Sequence, residues 1–418
     1  DSIPELGVAR WTLSNGVRVQ LKSTDFKNDE ILFSAHSPGG HSLVEDVDYI
    51  AAATASSIVR EGGLGPFSRI ELEKKLAGKV VAVSPTIGTL QEGISGMASP
   101  EDMQTMFELI YAYFTVPTTD STAYKSFKKR IEGSVQNRNA RPETAYGDTI
   151  QVTMASHHHR ARPWSMEMLD EMDMETSMQI YRDRFADASD FTFTFVGNFS
   201  SQQIEPLVCA YLATLPTTGR EEDWRDVGMN KPEGVVEKFV YAGIEPKSTS
   251  RIVFSGPFDF DGWENNFAID AMASVLQIKL REVLREDLGG TYGVGVSASV
   301  EHFPREQYSM SISFGCDPER TDELTQIVFE QIDSLKTVGT TQVYVDKVKE
   351  IRKRAREVNL KENGFWRGAL QSLDIDGTDP RLLLQYDALV DRLTPAAVQE
   401  AAQQYFNGER YARFVLYP

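Results

Sequence analysis

Arg285 and Tyr292 are two residues whose types could together bind an anion or a carbonyl oxygen, and they lie seven positions apart. Between them stand Gly289 and Gly290, which readily adopt a positive φ and can end a helix. The pattern predicts a helix that ends at the glycines and a strand that begins near Tyr292. A guanidinium and a phenol directed into one space would form a clamp of hydrogen-bond donors.

The elements that position this pair belong to an internal repeat. Ile31-Leu32-Phe33-Ser34 reappears in the second half of the chain as Ile252-Val253-Phe254-Ser255, a strand by its branched and aromatic content. Ser99-Pro100-Glu101 reappears at a nearly identical offset as Asp317-Pro318-Glu319. Each of these triplets has a helix N-cap, a proline at the first helical position and an acid in the first turn.

The repeat predicts the organisation of the chain. Residues 172–195 align without a gap with residues 393–416, at the offset of the first strand pair. Each copy has the order strand, helix, strands, long helix, further helices and last strand, which is typical of an α+β layer of helices on a sheet. We therefore predict two homologous domains, residues 1–222 and 223–418, joined by a linker at Thr217 to Gly234 that is rich in glycine, proline and charge.

Composition excludes several classes of function. The chain has 418 residues, 41% of them apolar, and a net charge of −18, which repels nucleic-acid phosphates. It has no run of 18 apolar residues, so a membrane span is not expected. Cys209 and Cys316 are too few for a disulfide framework or a cysteine metal site. Because the chain begins at Asp1, we expect it to be a piece of a longer product.

The histidines do not suggest a metal site either. His157, His158 and His159 are adjacent, and successive side chains on an extended chain point to opposite sides. His36 and His41 flank a Ser-Pro-Gly-Gly sequence that is typical of a turn, so we predict that both lie in a loop.

Several phrases, in a shared order along nearly the whole chain, resemble the pitrilysin/insulinase (M16) family of zinc metallopeptidases. They are Leu13–Val19, with its Leu-Ser-Asn-Gly opening, then Arg160–Trp164, Phe195–Phe199 and Leu215-Pro216. The resemblance implies two M16-type domains, each a mainly antiparallel sheet with helices packed on it. It also implies that the complete protein has two such halves, which close around a peptide.

In that family one half binds zinc through H-x-x-E-H on a helix and through a distant glutamate. This chain contains no H-x-x-E-H. Counting back from Gly62 and from Pro142-Glu143, the ligand positions fall on residues that bind zinc poorly: Ala53, Ser56, Ser57 and Ser134. The resemblance therefore implies zinc in the full-length protein and none in this chain.

The resemblance implies a chemical role for Arg285 and Tyr292, because their spacing matches a pattern of the family. In relatives with both halves in one chain, such a pair reaches the zinc site of the other half and binds the scissile carbonyl or its oxyanion. The chain is thus expected to be the C-terminal, inactive half of a metalloendopeptidase. Its expected partners are a zinc-bearing N-terminal half, fused or separate, and a peptide substrate. By resemblance alone, the expected compartment is the bacterial periplasm.

Two alternatives stay open at this stage. Arg285 and Tyr292 could be a helix-end arginine and a strand tyrosine with structural roles only. The whole chain could instead be a catalytically silent M16-like subunit that acts as an assembly scaffold, in which case the pair would be a relic.

Overall fold

A computed structural model describes residues 2–243, 245–260 and 263–418, and it describes only the backbone of residues 139, 286, 287 and 292. Over those ranges, no helix combines the length and the apolar character needed to cross a bilayer.

The α-helices of the described ranges are α1 (Tyr49–Gly62), α2 (Arg69–Lys75), α3 (Met103–Thr115), α4 (Ser121–Gln136), α5 (Pro142–Met154), α6 (Met166–Asp170), α7 (Met174–Arg184), α8 (Ser201–Leu207), α9 (Trp263–Leu280), α10 (Thr321–Thr337), α11 (Gln342–Asn359), α12 (Asn363–Ile375), α13 (Tyr386–Asp391) and α14 (Pro395–Tyr405). The strands of the described ranges are β1 (Ser2–Ile3), β2 (Val8–Thr12), β3 (Arg18–Ser23), β4 (Ile31–Pro38), β5 (Val81–Ile87), β6 (Gln91–Ala98), β7 (Thr192–Gly197), β8 (Val235–Tyr241), β9 (Ser248–Pro257), β10 (Thr291–Glu301), β11 (Gln307–Cys316) and β12 (Tyr411–Tyr417).

The two predicted helix caps form as the sequence indicates. The Ser99 hydroxyl accepts a hydrogen bond from the Asp102 N–H at 3.2 Å, ahead of α3. The Asp317 carboxylate accepts one from the Glu319 N–H at 3.1 Å, ahead of α10. Each cap satisfies a backbone donor that the first helical turn leaves unpaired.

The first compact unit comprises residues 1–136, 164–227 and 357–383. Its described strands form a seven-stranded sheet in the order β1-β2-β3-β7-β4-β6-β5, in which only β3 and β7 run parallel. Helices α1, α3 and α7 cover one face over a core of stacked aromatic rings. Phe195 stacks on Phe33 at 5.6 Å and on Phe107 at 5.1 Å. Burying each such ring contributes about 1.5–3 kcal/mol to folding.

The second compact unit comprises residues 137–163, 228–356 and 384–418. Its described strands form a five-stranded sheet in the order β10-β11-β9-β12-β8, in which β8 and β12 run parallel. Helices α9, α10 and α14 cover one face of this sheet. Both units are thus mainly antiparallel sheets with helices packed on them, and the predicted α+β fold of two repeated domains is confirmed.

The opposite face of each sheet is covered by a helix from the other copy of the repeat. Helix α12 packs on β4 and β7 of the first unit, whereas α5 packs on β12 of the second. These helices are equivalent, since Pro142 and Asn363 begin them at corresponding positions of the two copies. Each unit is therefore discontinuous in sequence, and the copy boundary at residues 222 and 223 stays a prediction.

The ungapped alignment of residues 172–195 with 393–416 is correct for the helix and wrong for the strand. Helices α7 and α14 begin at the positions that the alignment pairs, Met174 and Pro395. Phe195 faces the helical core and pairs with Phe33 of β4. The repeat makes Phe254 the equivalent of Phe33, and Phe254 pairs with Tyr411. Leu416, which the alignment pairs with Phe195, packs on the other face with Tyr146. The loop before β12 is therefore shorter than the loop before β7.

Candidate functional site

The helix that carries Arg285 ends at the predicted glycine pair. Helix α9 continues into a π-helical segment, Arg281–Asp287. Gly289 then adopts a φ of 56°, in the left-handed region that favours glycine. The Gly290 N–H donates to the Leu284 carbonyl at 2.9 Å, and the Gly289 N–H donates to the Arg285 carbonyl at 3.2 Å. These bonds satisfy carbonyls that the last turn leaves open.

Tyr292 lies where the following strand departs from regular pairing. Thr291 is opposite Cys316 and Gly293 is opposite Gly315, so Tyr292 is the extra residue of a β-bulge. The Thr291 hydroxyl donates to the Gly315 carbonyl at 2.6 Å and holds the bulge against β11. The side chain of Tyr292 lies outside the described part of the structure, so its convergence with Arg285 stays a prediction.

Arg285 itself is exposed at the end of its helix. Within the described residues, its guanidinium forms neither a hydrogen bond nor an ion pair. The negative end of the helix dipole stabilises a cation at this position.

The positions predicted for a degenerate zinc site lie on two helices that pack together, α1 and α4. Ala53 and Ser134 are exposed, and Ser56 and Ser57 are half-buried. The Ser57 hydroxyl accepts a hydrogen bond from Arg60 at 3.2 Å.

A methyl group and three hydroxyls do not fit zinc, which is held by imidazole, thiolate or carboxylate ligands. The described ranges also contain no group of three histidines, cysteines or acids that could hold a metal ion. Salt bridges from Arg69 and Arg130 to Glu61, at 2.8 and 2.6 Å, occupy the carboxylate at the end of α1.

The prediction that His36 and His41 lie in a loop is wrong. Strand β4 extends to Pro38, so His36 belongs to the sheet, and it is only 6% exposed. His41 lies in a short 3-10 helix, is also buried, and packs edge-on against Tyr49 with ring centroids 5.1 Å apart. The turn residues Gly39 and Gly40 are correctly placed, but the chain around them folds back against the sheet.

A buried cluster of ionisable side chains in the first unit was missed by the sequence reasoning. Glu92 of β6 is 1% exposed, and its carboxylate accepts a hydrogen bond from the Gly40 N–H at 2.7 Å. Burial raises the pKa of Glu92 to about 8. Arg184 is buried nearby and pairs with Glu222 at 2.9 Å and with Asp183 at 2.5 Å. A lone glutamate in an otherwise ordinary strand sequence gave no signal of this environment.

Comparison with known proteins shows which family model and which relatives this chain resembles. Residues 176–352 match the family model described as the peptidase M16 inactive domain. The zinc protease PQQL-like of Arabidopsis thaliana is 26% identical over 379 residues, which are 87% of this chain and 37% of the relative. The probable zinc protease PqqL of Haemophilus influenzae is 21% identical over 331 residues, which are 78% of this chain and 35% of the relative.

Solved structures show the same fold. The periplasmic protease PqqL from Escherichia coli superposes with a TM-score of 0.85 at 20% identity, over 99% of this chain and 45% of that one. A mutant of the ferredoxin protease FusC, in complex with Arabidopsis ferredoxin, gives a TM-score of 0.82 at 20% identity, over 100% of this chain and 46% of that one.

These matches confirm the predicted resemblance to the M16 peptidases. More specifically, the chain is homologous to the zinc proteases named PqqL, and it contains the region described as inactive. It spans 37% and 35% of the length of the two curated relatives above.

Proposed function

We propose that this chain is the zinc-free C-terminal half of an M16 metalloendopeptidase, and that it helps to enclose the peptide during cleavage. The match to the inactive-domain model and the partial coverage of longer zinc proteases support this role. The side chains at Ala53, Ser56, Ser57 and Ser134 support it too, because they offer nothing that would hold a metal. The chain alone is then without peptidase activity, and zinc is bound by the other half.

Arg285 and Tyr292 are the residues that we assign to the reaction. The observation that carries this assignment is an exposed guanidinium at a helix end, unpaired among the described residues, followed by a bulge whose extra residue is Tyr292. Bulges next to active sites commonly redirect one side chain. In the complete enzyme, both side chains would donate hydrogen bonds to the oxygen of the scissile carbonyl as its negative charge develops.

The test is Tyr292→Phe in the full-length protein. Removing one donor from a developing oxyanion should lower kcat for peptide hydrolysis by about 100-fold. Zinc content should not change, because the hydroxyl is not a metal ligand in this proposal. Tyr241→Phe is the matched control, since Tyr241 is 74% exposed on β8 and should leave kcat unchanged. Wild-type kcat in the Tyr292 variant would remove the residue from the mechanism.

The substrate and the compartment follow from the relatives as proposals. FusC was solved with ferredoxin bound, and the E. coli relative is described as periplasmic. We infer a peptide or protein substrate and a periplasmic location. Fractionation of cells that express the native protein tests the location, because release with the periplasmic fraction is the expected result.

A scaffold role is the second candidate. A chain of the complex III2 structure from Candida albicans superposes on this one with a TM-score of 0.73 at 13% identity, which shows a shared fold. The two roles differ in whether a zinc-bearing half accompanies the chain. Purification of the native protein, with zinc and peptidase assays, distinguishes them.

A further inference from the structure

A cavity of about 160 Å³ lies within the first unit, on the face of the sheet that α12 covers. Strands β4, β5 and β6 form one side of it and α12 forms the other. The side chains that matter for its chemistry are polar: Ser34, His36, Thr86, Ser95, Arg367 and Gln371.

The folding pattern explains why these polar groups meet. Ser34 and His36 are two residues apart on β4, so both point away from the core face, which carries Phe33 and Ala35. On α12, residues 367, 371 and 374 follow helical spacing and form one stripe. The stripe faces the sheet beside Trp366, which is buried.

His36 is held in place from one side only. Its Nε2 atom lies 3.2 Å from a carboxylate oxygen of Asp374, and the other oxygen accepts a hydrogen bond from Gln20 Nε2 at 3.0 Å. The second ring nitrogen, Nδ1, is buried and has no hydrogen-bond partner among the described residues. The Ser34 hydroxyl is in the same situation, and its residue is 4% exposed. Buried polar atoms of this kind normally have a partner.

Arg367 adds a cation to the same cavity. It is half-buried, and in the described part of the chain its guanidinium makes no hydrogen bond and no ion pair. Buried Arg184 of the same unit, by contrast, pairs with two carboxylates. In a chain with a net charge of −18, carboxylates are plentiful, yet none of those that the structure describes pairs with Arg367.

We propose that this cavity binds one compact anion, a carboxylate or a phosphate-sized oxyanion. Arg367 supplies the charge and a planar fork of donors, and Ser34 and Gln371 supply neutral donors. The His36 ring lines the same cavity, with its Nε2 atom 3.2 Å from Asp374. The cavity is smaller than the roughly 300–1,000 Å³ typical of pockets for drug-sized ligands, which favours a small group.

Two acids lie close to the cavity, and each has a partner among the described residues. Asp374 is engaged by His36 and Gln20. The Glu92 carboxylate belongs to the opposite face of the sheet, where it accepts from the Gly40 N–H. The proposal does not depend on the peptidase role, because every residue in it lies in this one unit.

The test is calorimetric titration of the purified protein with inorganic phosphate and with succinate. Arg367→Gln should weaken saturable binding at least tenfold. Lys361→Gln is the matched control, since Lys361 is exposed just ahead of α12 and its loss changes the net charge equally. The imidazole NMR signals of His36 should shift on titration in the wild type and not in the Arg367 variant.

Absence of saturable binding by either probe would overturn the proposal, and so would equal weakening by the two substitutions. If Arg367→Gln does not fold, Ser34→Ala replaces it in the test, because loss of that hydroxyl should weaken binding several-fold.

Competition identifies the source of the anion. Displacement of phosphate by a glutamate-containing peptide, and not by its glutamine counterpart, assigns it to a bound peptide. If neither peptide displaces phosphate, the natural ligand is a free anion. If both peptides displace it equally, the site does not recognise negative charge, and the proposal is contradicted.

Discussion

Replacement of Glu92 by glutamine should change how the stability of the protein depends on pH. Glu92 is almost fully buried, and burial raises its pKa from 4.5 to about 8. Over that interval the folded protein keeps a proton that the unfolded chain releases. Stability therefore falls as pH rises, and the loss is complete above the folded-state pKa. Glutamine is neutral throughout and retains an oxygen that can accept from the Gly40 N–H.

The size of the effect follows from one proton. A single site that is protonated only in the folded state contributes a slope of about −1.4 kcal/mol per pH unit to the free energy of unfolding. Between about pH 5.5 and 7.5, the wild type should thus lose about 3 kcal/mol relative to Glu92→Gln. The variant should become the more stable protein as pH rises.

Urea unfolding at several pH values within that window measures the difference directly. Glu205→Gln is the control, because Glu205 is an exposed glutamate of the same unit and should leave the slope unchanged. A difference between wild type and Glu92→Gln that does not vary with pH would refute the reasoning. It would mean that Glu92 is ionised at neutral pH in the folded protein.

Two further predictions concern the helix that covers the first sheet and the helix end that carries Arg285. Trp366→Ala should lower the free energy of unfolding by about 3–5 kcal/mol, measured in urea, because it removes a buried ring that also lies 3.9 Å from the Lys22 ammonium. Gly289→Ala should cost about 1 kcal/mol through its φ of 56°, since a Cβ there would meet no atom within 4 Å. Gly293→Ala is the control, because Gly293 is equally unobstructed and has no positive φ. The melting temperature should fall for Gly289→Ala and not for Gly293→Ala.

The parts of the fold that depend on near neighbours could be predicted from the sequence. The caps at Ser99 and Asp317 and the helix end at Gly289 each depend on residues within one or two turns. The repeat itself could be predicted because helices such as α7 and α14 begin at corresponding positions of the two copies. These features depend on residues that are close together in the sequence, so the sequence alone predicts them.

The features that were missed depend on distant partners. Nothing in α5 or α12 taken alone indicates which sheet it covers, because the strands that each helix contacts are far from it in the sequence. His36 was predicted to lie in a loop because turn residues follow it, yet its environment is set by Asp374, far along the chain. The burial of Glu92 likewise depends on Gly40 and on Arg184, which come from separate elements.

The candidate site likewise has features that the sequence predicts and one that it does not. The spacing of Arg285 and Tyr292 predicts that a helix end and a strand start lie next to each other, and the backbone has that arrangement with a bulge added. The bulge depends on the pairing of β10 with β11, including the hydroxyl of Thr291, and no short phrase in the sequence indicates it. The assignment of the pair to chemistry rests on the resemblance.

The position of α5 and α12 also determines how the chain can be divided. A single break anywhere between Met154 and Val235 leaves α5 on one fragment and the sheet that it covers on the other. A break between Gly197 and Val235 also separates α12 from the sheet that contains β4 and β7. A fragment that corresponds to one copy of the repeat therefore lacks the helix that covers one face of its sheet.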